Sequence, residues 1–301
     1  MRWQAALRDE REPLEHGTGG SDMKVVLFCG GMGMRMRADN QSLPKPMMPI
    51  GTRPVLWHVM RYYAHFGHNE FILCLGYGAQ AVKEYFLDYR ETASNDFRLL
   101  KGGRDIEMLG TDISDWTITF IDTGIDTAIG ERLRRVRPYL DEDEMFLANY
   151  GDVLTDAPMN ALIDEFADSD CVAQFLAVSP QDSFHVVDVT GDGHVTGIQP
   201  VADLSMYING GYFVLRQGIF DYLDEGDDLV MNGCVRAAAD GRLRAVKYPG
   251  FWAPMDTLKE RTALEQLYRS GVSPWALWRD VPAPGGRPIL PVPAVDPVLA
   301  P

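Results

Sequence analysis

The stretch from Lys24 to Met48, KVVLFCGGMGMRMRADNQSLPKPMM, constrains the fold more than any other part of this chain. It opens on a short apolar run, Val25 to Cys29, β-branched enough to read as a buried strand. Gly30, Gly31 and Gly33 follow, then Arg35 and Arg37, and Lys45 closes the stretch between Pro44 and Pro46. Glycine lets a backbone approach a ligand closely, and a chain turning off a strand can aim its N–H groups at phosphate. Arg35 and Lys45 add charge to that cradle, so the stretch reads as a phosphate-binding loop for a nucleoside triphosphate. Two other glycine loops fail on spacing. A dinucleotide fingerprint begun at Gly31 meets Met36 where it needs glycine, and a P-loop begun at Gly30 meets Arg35. The alternative is a glycine-rich turn with solvated basic residues.

The chain has 301 residues, enough for one large domain or two smaller ones. Its formal charge of −15 argues against nucleic acid or an anionic membrane as partner. Any phosphate site must therefore gather its cations locally. No apolar run reaches membrane-spanning length. Cys29, Cys74, Cys171 and Cys234 are far apart and lie in apolar surroundings, which reads as core residues in a reducing cytoplasm. Residues 1–22 mix both charges without an apolar segment and read as a disordered extension, with Met23 as an alternative start. Val281 to Pro301 is proline-rich and reads as an extended tail, leaving 23–280 as the folded domain.

Along that domain strands and helices alternate, which predicts a mostly parallel sheet covered on both faces. Pro54 to Phe66 places Val55, Leu56, Val59, Met60 and Tyr63 on one helical stripe. Phe71 to Leu75 is a strand and Ala79 to Tyr89 a helix. Between them Gly76-Tyr77-Gly78-Ala79-Gln80-Ala81 matches a dinucleotide pattern, but the polar stretch Glu91 to Asp115 supplies no second strand ending in an acid. A close-packed turn is the better reading. Trp116 to Asp122 is a strand, followed by a helix whose arginine run, Arg132 to Arg137, reads mainly as a solvated face. The Met145 to Tyr150 strand leads to Gly151-Asp152, and an acid at such a strand end is a metal-ligand candidate or a turn residue. Phe184 to Ile198 predicts a hairpin, and Asn209-Gly210-Gly211 interrupts an apolar strand from Tyr207 to Leu215. Asp256 either caps the helix from Leu258 to Tyr268 or supplies a second metal carboxylate. His58, His65 and His68 read as solvated or capping rather than metal-binding.

The segments FCGGMGMRMR, PKPMMPIGTRPVLWHVM, LGYGAQAVKEYF, FIDTGIDTAIGERLRRV, FLANYGD, YINGGYFVL and PGFWAPMDTLKE together resemble the bacterial sugar-1-phosphate nucleotidylyltransferases, and within them the glucose-1-phosphate cytidylyltransferase branch. The resemblance runs from about Met23 to Trp278. It implies a three-layer α/β nucleotidyltransferase fold, Rossmann-like, with a small sugar-binding insertion. It implies transfer of a nucleotidyl group from a nucleoside triphosphate, CTP by preference, to a sugar 1-phosphate, with pyrophosphate released. The product would be a nucleotide-sugar for polysaccharide or glycan synthesis, and a homo-oligomer is the usual assembly. By the same resemblance Gly30, Gly31, Met32 and Gly33 form the signature loop over the phosphates, and Arg35 and Lys45 contact them. Asp152 and Asp256 hold Mg²⁺, Asp126, Thr127 and Gly130 help hold the nucleotide, and Asn209 and Gly210 hold the sugar. In-line attack joins two anions, so positioning and charge stabilisation dominate the chemistry.

The sequence departs from the family pattern at several places. Met34 replaces a hydroxyl residue, Val153 a glycine, and Ile129-Gly130-Glu131-Arg132 a Thr-Gly-Gly-Arg segment. The chain reads Ile198-Gln199-Pro200-Val201 where a sugar-phosphate lysine is expected. The expected acidic Glu-Pro segment near Leu229 to Cys234 is missing as well. These departures keep two other readings open: a non-catalytic nucleotide or nucleotide-sugar binding protein on the same fold, and a metal-dependent glycosyltransferase.

Overall fold

The computed structural model describes residues 22–31, 43–140, 145–180, 184–201 and 204–279. The predicted N-terminal extension up to residue 21, the proline-rich tail, and Met32, Gly33, Arg35 and Arg37 lie outside the described residues.

The apolar run of the opening stretch is strand β1, Lys24–Phe28, buried on both faces. Two short strands, β2 (Pro49–Ile50) and β3 (Arg53–Pro54), lead into helix α1, Val55–His65. Pro54 holds extended backbone at the helix start, and Val55, Leu56, Val59, Met60 and Tyr63 are fully buried, as the helical stripe predicts. Strand β4 (Glu70–Leu75), helix α2 (Ala79–Leu87), strands β5 (Phe97–Leu100) and β6 (Asp105–Met108), and strand β7 (Thr117–Asp122) follow. The polar stretch Glu91 to Asp115, read only as lacking a second dinucleotide-type strand, holds the separate antiparallel β5–β6 hairpin. Its apolar pairs, Phe97 with Met108 and Leu99 with Ile106, alternate with charged residues over strands of only four residues, too short a pattern to stand out in a polar stretch.

Helix α3 (Ile129–Val136), strands β8 (Met145–Asn149) and β9 (Val153–Thr155), helix α4 (Met159–Ala167) and strand β10 (Ala173–Val178) come next. Then follow the β11–β12 hairpin (His185–Val189 and Val195–Pro200), strand β13 (Ile208–Arg216), helix α5 (Val235–Ala239), strands β14 (Leu243–Tyr248) and β15 (Trp252–Pro254), and helix α6 (Leu258–Arg269). Strand β13 continues through Asn209-Gly210-Gly211, but its register against β10 shifts there, from Phe213 opposite Phe175 to Asn209 opposite Ala177, with Gly211 at φ +76°. Neighbours occupy the space that side chains would need there: the Leu176 carbonyl and the Trp252 ring beside Gly210, and the Tyr150 ring beside Gly211.

Among the described residues one seven-stranded sheet has the order β14-β10-β13-β8-β1-β4-β7. Its pairs are parallel except the two that β13 makes, with β10 and β8. Alternate residues of β1 feed two cores. Val25 and Leu27 pack toward α1, α4 and α6, while Val26 and Phe28 pack toward α3 and the 219–237 region. This is the mostly parallel, three-layer architecture that the resemblance implies. No helix among the described residues is long and apolar enough to cross a membrane. All four cysteines are free and buried, and burial pushes the Cys74 and Cys234 thiols up to about 12.

Candidate active site

The carboxyl ends of the parallel strands meet at one edge, the usual place for ligands in such sheets. Strand β13 enters at the same edge, since Ile208 pairs with Val178 at the end of β10. The candidate residues gather there by four local devices.

The first device sets Lys45. Pro44 is extended, Pro46 occupies the first turn of a 3₁₀ segment, Lys45–Met47, and Pro46 and Met47 are buried. This anchors the backbone and leaves the lysine stem free to reach across the edge. The second sets Asp152. Gly151 lies at φ +79°, a conformation that glycine tolerates, and its N–H donates to Asn149 Oδ1 at 2.7 Å. The third brings in Asp256. Strands β9 and β15 pair antiparallel, Val153 opposite Pro254, and Met255 N–H donates to Asp152 O at 3.0 Å. The fourth releases the Asp256 side chain from helix capping. Thr257 is the N-cap of α6, in a reciprocal capping box with Glu260. The Asp256 N–H donates to Glu260 Oε2 at 2.7 Å, and its carboxylate points away to Lys45.

The Lys45 ammonium lies 2.7 Å from Asp152 Oδ2 and also donates to Asp256 Oδ1. The Lys45 and Asp152 side chains are 14% and 16% exposed and Asp256 is 46% exposed, so the centre is open on the Asp256 side. Burial works against the Lys45 charge, but Asp152 beside it and the hydrogen bonds to both carboxylates outweigh that and hold its pKa above the ordinary value. Burial pushes the Asp152 carboxyl up, and the Lys45 charge pulls against it.

The two carboxylates are thus placed where one cation reaches both. Among the described residues no group of three or more His, Cys, Asp or Glu side chains could hold a metal ion. A two-carboxylate donor set fits Mg²⁺, which keeps several waters and takes substrate phosphate oxygens rather than a full protein cage.

Gly30 and Gly31 turn off β1 with different surroundings. A Cβ on Gly30 would lie 2.1 Å from an Arg132 nitrogen, whereas one on Gly31 would meet nothing within 4 Å. The first glycine therefore makes room for Arg132, and the second borders open space.

Arg132 is the functional candidate that the solvated-helix reading missed. It is buried, and its five N–H donors meet five acceptors. Nε donates to Thr127 O at 2.9 Å, Nη1 to Leu75 O at 3.2 Å and Thr123 Oγ1 at 2.7 Å, and Nη2 to Gly30 O at 3.2 Å and Ile125 O at 3.0 Å. It ties the ends of β1, β4 and β7 together. The available signal was helical phase, because Arg132 stands four residues before buried Val136 and so on the inward face. Arg134 and Arg135 do sit at the surface, paired with Glu131, and Glu131 also accepts from Gly226 N–H.

Thr127 lends its carbonyl to Arg132, Asp126 is exposed beside it, and Gly130 is packed under Asp227, whose carbonyl would lie 2.6 Å from an added Cβ. Asn209 donates to the Tyr150 hydroxyl at 2.8 Å, and Trp252 Nε1–H donates to Gly210 O at 2.8 Å. Tyr150 adjoins Gly151-Asp152 and Trp252 belongs to β15, so both links join Asn209 and Gly210 to the aspartate pair. The Gly76–Gly78 turn packs beneath Gly30 and Pro44, with Tyr77 N–H donating to Gly30 O at 3.3 Å, which agrees with a close-packed turn. His58 and His68 are buried, not solvated.

Comparisons with known proteins extend this geometry. The family model described as nucleotidyl transferase matches residues 24–281. Glucose-1-phosphate cytidylyltransferase of Salmonella typhimurium is 37% identical over 259 residues, covering 85% of this chain and all (100%) of that protein. The probable glucose-1-phosphate cytidylyltransferase of Bacillus subtilis is 35% identical over 258 residues, again covering 85% of this chain and 100% of the relative. Among solved structures, the UTP-bound UGPase of Acinetobacter baumannii superposes with a TM-score of 0.60 at 18% identity, over 85% of this chain and 96% of that one, a likeness of fold.

Proposed function

Because the chain belongs to the nucleotidyl transferase family, we propose that it transfers a nucleotidyl group from CTP to glucose 1-phosphate, forming a nucleotide-sugar and pyrophosphate. The choice of CTP and glucose 1-phosphate is supported by the names of the two relatives. The observation that carries the reading is the Asp152–Lys45–Asp256 cluster at the strand ends, beside the Gly30–Gly31 turn.

A phosphate oxygen of the acceptor attacks the α-phosphorus in line, forming one P–O bond as the bond to the leaving pyrophosphate breaks. Lys45 neutralises phosphate charge as a compact cation. Gly31 leaves space for the triphosphate, and Arg35 adds a planar fork to it. Asp152 and Asp256 hold Mg²⁺, which when bound supplies charge stabilisation to the phosphate oxygens. Arg132 keeps the Gly30 turn and the 123–127 loop in register, and Asp126, Thr127 and Gly130 flank the nucleotide. Asn209 and Gly210 face the sugar. The four buried free thiols suit a cytoplasmic reaction.

The test is pyrophosphate release with Mg²⁺, for CTP, UTP, dTTP, ATP and GTP against a panel of sugar 1-phosphates. Turnover greatest with CTP and glucose 1-phosphate is expected. Asp152→Asn should lower it by about 100-fold or more while nucleotide binding survives, as for loss of a group that acts in the transition state. A second reading, a non-catalytic nucleotide binder, is favoured by Gln199 on β12 where the resemblance expects a lysine. Folded protein that binds nucleotide yet releases no pyrophosphate from any pair would establish it.

A further inference from the structure

One ammonium occupies the place where the two carboxylates converge. Lys45 is within ion-pairing distance of both Asp152 and Asp256. A divalent cation needs the same carboxylate oxygens and is repelled by an adjacent ammonium, so the two cannot share the position. The lysine also has a second destination. Its flexible stem rises from a backbone held rigid by Pro44 and Pro46, and Pro44 is wedged against Gly78, where an added Cβ would lie 2.6 Å from the proline ring. The anchor stays while the head group can swing.

We infer that Lys45 gates the metal site: in the free enzyme it serves as an internal cation for Asp152 and Asp256, and a divalent ion gains these ligands when an anion draws Lys45 away. The inference rests on reading Asp152 and Asp256 as the metal ligands. The anion is the triphosphate of the nucleotide, which offers Lys45 new partners as it arrives. Metal entry and nucleotide entry are then coupled, and the free enzyme holds divalent ions weakly. The coupling has a chemical use. Two carboxylates left without a cation would repel the incoming triphosphate, and the lysine suppresses that repulsion until the phosphates arrive.

The test is Mn²⁺ binding to the nucleotide-free protein, read by electron paramagnetic resonance of the unbound ion. Lys45→Gln and Lys45→Met, checked for native circular dichroism, should bind Mn²⁺ about 10-fold tighter than wild type, the factor expected when a competitor fills the site about nine-tenths of the time. Asp152→Asn should remove that gain. A readout on the unaltered protein accompanies it: acetylation of Lys45 by acetic anhydride, followed by mass spectrometry, should increase when Mn²⁺ is added. Equal Mn²⁺ affinity in wild type and both folded lysine variants would overturn the gate, as would Lys45 labelling indifferent to Mn²⁺. Pyrophosphate release by wild type is measured in parallel. Turnover with no change in Mn²⁺ affinity refutes the gate alone, and tighter Mn²⁺ binding without turnover from any substrate pair supports the gate and refutes the proposed reaction.

Discussion

Gly30 and Gly31 are adjacent and chemically identical, yet a methyl group on each would do different things. On Gly30 it would strike the Arg132 guanidinium, which five hydrogen bonds hold in place. Gly30→Ala should therefore cost about 1–3 kcal/mol of stability in urea denaturation, the range for overpacking a buried site. Gly31→Ala should change stability by less than about 0.5 kcal/mol and instead weaken nucleotide affinity in calorimetry. Equal losses of stability in both variants would refute this division. Arg132→Lys keeps the charge but not the fork. Several of the five acceptors would lose their donor, and the variant should melt earlier by about 2–4 kcal/mol worth of stability.

At the scale of elements, the site depends on a three-residue pairing and one helix cap. Asp152 directly precedes β9 and Asp256 follows β15 by two residues, at adjoining ends of the pair, and Asp256 is followed by Thr257, the N-cap of α6. Thr257 caps the helix, so the Asp256 carboxylate is free for Lys45. Thr257→Ala should lower stability by about 1 kcal/mol, as usual for a lost cap. It should also lower kcat more than it raises KM, because the α6 start that aims Asp256 is loosened while the nucleotide loop is untouched. An unchanged kcat beside the expected loss of stability would show that the cap serves the helix alone.

For the whole molecule, closure of the chain rests partly on a buried histidine. His58 on α1 donates from Nε2 to Ile50 O at 3.0 Å and accepts the Trp275 indole N–H on Nδ1 at 3.2 Å, within a nest that includes Trp57 and Trp278. A proton on Nδ1 would face another N–H. Burial lowers the His58 pKa from 6.5 to about 4. Between those values the unfolded chain takes up a proton that the folded chain refuses. This contribution is therefore complete above pH 6.5 and is lost as the pH falls toward 4, by roughly 3 kcal/mol in all. Chemical denaturation across that range should show the loss, and His58→Gln should flatten this part of the profile. A profile identical to that of wild type would remove His58 from the account.

The sequence alone determined the alternation of elements, the buried opening strand, the α1 stripe, Lys45 between two prolines, and the placing of Asp152 after an apolar strand and of Asp256 just before a helix. These are legible because periodicity and turn chemistry are local properties. The resemblance carried by GFWAPMDT and PVLWHVM supplied the family before any geometry. Tertiary structure decided the rest. That Gly30 is small for the sake of Arg132, that Gly210 yields to Trp252, and that Asp256 leaves the capping to Thr257 all depend on contacts between distant segments. The β5–β6 hairpin was hidden for a related reason: its strands are four residues long and exposed, so their brief alternation is not reinforced by a buried face. The Asp152–Lys45–Asp256 cluster shows the same division, since sequence names each charge and only the β9–β15 pairing brings them within reach of one another.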